Sequence, residues 1–183
     1  MNKKVKTLVE CAILVALSTV LSLIPIGIKL PLGGSLTLLS MLPICLISIR
    51  HGLKWGFGSA FLYSLIQFFI DLGPALGWGL TPWRWVGMIL FDYIIAFTVL
   101  GIAGIFAKKG TAGVVGGVAL ACALRFVSHV ISGAIVFDIW CPEGWSPFPY
   151  SICYNGAFML PELIFTCIGA FIVYKALKSR KLA

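Results

Sequence analysis

The chain has 183 residues, 60% of them hydrophobic and 11% charged, with a formal net charge of +8. Soluble domains carry about 25% charged residues, so a water-soluble globular protein is excluded, and the lack of short alternating segments excludes a membrane β-barrel. The basic residues collect at the ends of apolar runs with no RNA- or DNA-binding motif beside them, which leaves no nucleic acid among the partners.

Apolar runs of about 17–25 residues recur, the length a helix needs to cross a bilayer. They predict an all-α integral membrane protein, one domain over residues 1–183, with six transmembrane helices in one bundle. Lys3, Lys4 and Lys6 precede a first helix reaching Ile24. The run is too long for a signal peptide, and no small-residue cleavage site follows it. Ala12 and Ala16 on this helix are four residues apart, a spacing that lets another helix come close. Pro25 ends the helix, and Ile26 to Ser35 reads as a loop. Leu36 to Ile49 reads as a short second helix, bent or staggered at Pro43, before a basic turn of Arg50, His51, Gly52 and Lys54.

The third helix runs from Trp55 to Asp71. Its Tyr63, Gln67 and Asp71 recur every four residues, share a face and should look inward. Leu72 to Arg84 is a loop rich in Gly, Pro and Trp. Trp85 to Ala107 is the fourth helix, with Asp92 and Tyr93 inside it, and Lys108 to Gly110 is a basic turn. Thr111 to Phe137 is the fifth helix, and its Gly/Ala-rich first half suits close packing. After a loop from Asp138 to Pro149, Tyr150 to Lys175 forms the sixth. Six cysteines stand singly with no CxxC pair, so zinc and redox readings have no support. They read as small buried hydrophobes, with Cys141 and Cys153 alone able to lie together near the outer surface.

Orientation follows from basic residues in short loops. With an inner N-terminus, the inside holds Lys3, Lys4, Lys6, Arg50, Lys54, Lys108, Lys109, Lys175, Lys178, Arg180 and Lys181, eleven in all; the outside holds Lys29 and Arg84. Both termini are therefore expected in the cytoplasm, and the three Pro/Gly/aromatic loops face outward like a lid.

A rise of about 1.5 Å per residue puts Asp92 and His129 each roughly 12 Å below the outer surface, with Asn155 a little shallower. Any one of these has a bland reading: Asp92 as a helix-packing carboxylate, His129 as a structural donor, Asn155 and Tyr150 as caps. Their joint placement from three helices favours a site, because polar groups in a membrane span are costly. Arg125, His129 and Ser132 share one face of the fifth helix. Arg125 and Glu162 fall in a deeper layer and are expected to form a structural ion pair. An acid with aromatic walls suits an organic cation, and amide and imidazole groups suit a nitrogen heterocycle. No nucleophile–base pair, metal cluster or phosphate loop accompanies them, so binding fits better than catalysis and no cofactor is called for.

At these residues the chain resembles the thiamine-specific substrate-binding membrane (S) component of energy-coupling factor (ECF) transporters, the ThiT/YuaJ family. The likeness lies in Gly33-Gly34-Ser35 through Leu42-Pro43-Ile44, in Leu46 to Arg50, in Asp92 to Phe97, and in Leu124-Arg125-Phe126 through His129 to Gly133, Tyr150-Ser151 and Tyr154-Asn155. The resemblance implies the S-component fold in a bacterial cell membrane and a thiamine pocket near the outer face. It implies thiamine contacts from Asp92, His129, Tyr150 and Asn155, with Tyr93, Gly133 and Trp145 nearby, and docking of Ala12 and Ala16 on a transmembrane coupling subunit driven by two cytoplasmic ATPases. Gly34 stands where some relatives carry Trp, Asp92 where some carry Glu, and Phe137 where some carry Trp. Tyr63 or Trp83 is then expected to supply the missing aromatic.

Two other classes compete. A self-sufficient carrier for thiamine or another heterocyclic cation, coupled to protons or ions through Asp92 and His129, is disfavoured by the lack of an evident internal repeat. A small membrane enzyme would need a nucleophile or a metal.

Overall fold

The computed structural model describes residues 2–31 and 33–180, and they are mostly helical. Lys181, counted above among the inner basic residues, lies outside them. Helix α1 (Lys3–Ser22) starts at Asn2, whose side chain accepts a hydrogen bond from the Lys4 N–H at 3.1 Å. It stops before Pro25, which has no N–H to give and pushes its neighbour out of helical geometry.

The all-α expectation needs a correction here. Pro25–Lys29 (β1) and Ser35–Thr37 (β2) pair antiparallel, with Pro25 opposite Thr37 and Lys29 opposite Ser35. The segment read as a loop and the start of the second helix is a hairpin. Pro25, Pro31 and Gly33, the last at φ 99°, rule out a helix there. Pairing two strands is the remaining way to satisfy backbone groups close to lipid. Helix α2 (Leu42–His51) accordingly starts later, with Pro43 in its first turn. At ten residues it is about 15 Å long, and Leu42 to Ser48 are all buried.

Gly52, at φ 86°, turns the chain into α3 (Leu53–Leu76). This helix runs a turn beyond the expected end at Asp71 and holds Pro74 in its last turn, where the missing N–H removes one bond just before the helix ends. Next comes one helical rod of changing pitch: α4 (Pro82–Met88), a π-helical stretch (Ile89–Ile95), α5 (Ala96–Thr98) and a 3-10 stretch (Val99–Gly104). A 3-10 turn (Ala107–Lys109) and Gly110 at φ 75° then lead into α6 (Gly110–Ile135). A further 3-10 turn (Asp138–Trp140) precedes α7 (Pro147–Ser179).

Among the described residues, four helical runs are long and apolar enough to cross a membrane: Lys3–Ser22, Leu53–Leu76, Pro82–Ile135 and Pro147–Ser179. The third has 54 residues, far more than the roughly 20 that one crossing needs. It folds back on itself, because α6 packs along Val99–Gly104 as well as against α7.

Small residues set that packing. A Cβ at Gly117 of α6 would lie 2.2 Å from the Ala103 carbonyl oxygen, and one at Gly104 would lie 2.3 Å from that of Ser48. Ser48 also donates to the Gly101 carbonyl at 2.5 Å and accepts from the Gly104 N–H at 3.0 Å. The interior is thus bound by close backbone approach and local hydrogen bonds, as expected where lipid supplies no hydrophobic drive between helices. Glu10 of α1 ties the first helix to the C-terminal end of α2, with Arg50 at 2.9 Å and His51 at 3.2 Å.

Adjacent glycines on α6 offer a test. Nothing lies within 4 Å of a Cβ added at Gly116, whereas one at Gly117 collides with backbone. Gly117→Ala should cost about 1–3 kcal/mol through overpacking, and Gly116→Ala should be neutral or stabilise by up to about 1 kcal/mol through helix propensity. Thermal unfolding of the two variants in detergent measures the contrast.

Candidate functional site

The hairpin forms one wall of a cavity of about 460 Å³, and residues from α1, α3, the Pro82–Gly104 rod, α6 and α7 form the rest. Its polar wall joins three helices. Asp92, in the π-helical stretch, faces α6: its Oδ1 lies 2.9 Å from His129 Nδ1, and its Oδ2 accepts from Ser132 Oγ. Widened π segments recur at functional sites, where they re-aim side chains out of the regular helical ladder. Asn155 of α7 donates from Nδ2 to the His129 carbonyl at 3.3 Å and to the Ser151 carbonyl at 3.0 Å. Gly133 makes this junction possible, because a Cβ there would lie 2.2 Å from Ser151 Oγ and 3.4 Å from Asn155 Nδ2. His129 Nε2 is buried with no hydrogen-bond partner among the described residues.

The inward face of α3 forms the opposite wall. Tyr63 donates to the Ser18 carbonyl at 3.4 Å, and Gln67 donates to Ser22 Oγ at 2.8 Å, so both are anchored on α1. Asp71 accepts from the Tyr93 hydroxyl at 3.2 Å. All three line the cavity with Tyr93.

Below this layer the expected ion pair is absent. Among the described residues, Arg125 and Glu162 form no salt bridge, although both line the cavity. The guanidinium of Arg125 stacks over the Phe97 ring at 4.4 Å. Glu162 Oε1 accepts from Thr37 Oγ at 2.5 Å and from Ser40 Oγ at 3.3 Å. The hairpin and the turn after it are the physical reason: Thr37 and Ser40 deliver two hydroxyls to a carboxylate that was expected to need a cation. The cysteines are all free, and Cys141 directs its thiol to the Trp145 carbonyl at 3.3 Å rather than to Cys153.

The structure gathers Asp92, Tyr93, His129, Gly133, Tyr150, Asn155, Phe137 and Tyr63 around this one cavity. Trp145 is not on its wall; it is 52% exposed and packs edge-on against Tyr150 at 6.1 Å. Ala12 and Ala16 are exposed on α1 and do not line the cavity. Trp83, one of the aromatics expected to make up for Gly34, is 53% exposed and also off the wall.

The ring beside Gly34 is Phe158. A Cβ on Gly34 would lie 2.6 Å from it, so the Phe158 ring occupies the space that a larger residue at position 34 would need. Phe158 also meets His129 edge-on at 6.5 Å. Phe158 was missed, yet Tyr150, Tyr154 and Phe158 recur every four residues on one helical face. Trp78 was missed as well: it lines the cavity and packs edge-on against Phe137 at 5.7 Å. Its position in a Gly/Pro loop gave no periodic signal. Arg84 holds this corner by donating to the Val136 carbonyl and to Asp138.

Such a cavity can bind a flat, nitrogen-rich ligand between aromatic rings and meet its polar edges with a carboxylate, an imidazole and an amide. Comparison with known proteins points the same way. Residues 8–182 match the family described as thiamine transporter protein (Thia_YuaJ). The thiamine transporter ThiT of Bacillus subtilis (strain 168) is 32% identical, with 98% of each chain covered. The solved structure of ThiT from Listeria monocytogenes superposes with a TM-score of 0.78 at 26% identity, covering 99% of this chain and 98% of that one. This chain therefore belongs to the thiamine transporter (Thia_YuaJ) family and is a multi-pass cell-membrane protein of a transporter, not an enzyme, family.

Proposed function

We propose that the chain is the thiamine-binding subunit of an ECF-type importer. It captures thiamine at the outer face and delivers it with a transmembrane coupling subunit and two cytoplasmic ATPases. The observation that carries the reading is the meeting of Asp92, His129 and Asn155, from three separate helices, on the wall of one cavity. The relatives' names supply thiamine.

In this reading the chain crosses the membrane six times, with α2 as a short buried pass and the Pro82–Ile135 run as two. Both termini are cytoplasmic, by the asymmetry of basic residues. The Glu10 contacts with Arg50 and His51 support it by tying α1 to the basic end of α2. Asp92, with Asn155 and His129, takes the hydrogen-bonding edge of the aminopyrimidine, while Tyr93, Tyr150 and Phe137 pack on the rings. Ala12 and Ala16 form the docking face for the coupling subunit. Their exposure supports this, as does the apolar groove beside Ala12, which Leu8, Val15 and Leu62 line between α1 and α3.

Two expectations follow. A hydrogen bond to a charged group is worth about 1.5–3 kcal/mol, so Asp92→Asn and His129→Ala should each weaken thiamine binding roughly tenfold to a hundredfold. Titration of intrinsic tryptophan fluorescence reads this directly, because Trp78 is on the wall; unchanged curves in both variants would remove the assignment. Ala12→Trp should leave that titration unaltered and abolish ATP-driven uptake in vesicles holding all the subunits. Accumulation by the purified chain alone under a proton gradient would favour a self-sufficient carrier instead.

A further inference from the structure

Three carboxylates line the cavity: Asp71, Asp92 and Glu162. They are not equivalent. Asp92 spends one oxygen on His129 and the other on Ser132. Glu162 takes two hydroxyls, from Thr37 and Ser40, and lines the same cavity as the cationic Arg125. Asp71 accepts one hydrogen bond from the Tyr93 phenol on Oδ2, and among the described residues no cation pairs with it.

We propose that Asp71 is the counter-charge for the positively charged ring of the ligand, and that it selects cationic over neutral heterocycles. This rests on the thiamine reading above and divides the labour within it. Asp92 acts as a hydrogen-bond acceptor, its charge already shared with an imidazole and a hydroxyl. Asp71 supplies the uncommitted negative charge. It lies near the end of α3 away from the basic Arg50–Lys54 turn. Tyr93 hydrogen-bonds to it and Trp78 also lines the cavity, so aromatic side chains share that space with the charge. A quaternary ring nitrogen has no N–H to donate, so it needs a diffuse negative field and π faces, not a directed acceptor. A ligand holding its amine at Asp92 and its cation at Asp71 is bound by both ends.

The test compares two ligands on the purified full-length protein in detergent. One is thiamine; the other is an isostere in which a neutral thiophene replaces the thiazolium. The unmodified protein should prefer thiamine. Asp71→Asn should weaken thiamine by about tenfold or more while leaving the neutral isostere within about twofold, erasing the preference. Asp71→Glu, which keeps the charge, should restore it. Asp92→Asn should weaken both ligands alike. Unchanged thiamine affinity in Asp71→Asn, or equal loss for both ligands, overturns the proposal while the thiamine reading stands. Failure of the unmodified protein to bind thiamine removes the reading itself.

Discussion

The contact between Asp92 and His129 is the constraint on which the rest depends. A carboxylate and an imidazole inside a membrane protein each need a partner, since lipid supplies none. Here they partner each other across two helices, and Ser132 completes the carboxylate. This fixes the rotation of the Pro82–Gly104 rod against α6. Asn155 then locks α7 to the same point through the His129 carbonyl. Three helices are pinned at one level by polar groups, and the cavity is the space those groups hold open.

The packing further from the site follows a different rule. Ser48, Gly101, Gly104, Ala103 and Gly117 bring backbones so close that no side chain fits between them. That half of the bundle is dense, and Ser48 is satisfied there by the Gly101 carbonyl and the Gly104 N–H. The half beneath the hairpin holds the cavity, and His129 and Arg125 on its lining carry nitrogens that lack partners among the described residues. Close packing at one end and a polar-lined cavity at the other is the distribution a binding protein needs.

Much of this was legible in the sequence. Hydropathy placed the long helices, and fourfold spacing put Tyr63, Gln67 and Asp71 on one inward face. Counting residues from the helix ends brought Asp92, His129 and Asn155 to one depth. What failed was local. Residues 25–37 read as loop and helix because a short hairpin carries no long period, and its Thr37 could not be foreseen as the partner of Glu162, 125 residues away. The Arg125–Glu162 pair followed from depth alone, and depth does not say which way a side chain turns. Gly34 looked like a lost aromatic, but only the fold shows that the Phe158 ring occupies its space.

The π-helical stretch from Ile89 to Ile95 carries a last consequence. Deleting one residue there would let the rod revert to ordinary α pitch, and because a π turn holds about one residue more than an α turn, the helix on either side would keep its facing. Only the side chains inside the stretch, Asp92 and Tyr93 among them, would be re-aimed, so the cavity wall would lose its acid though no functional residue had been replaced.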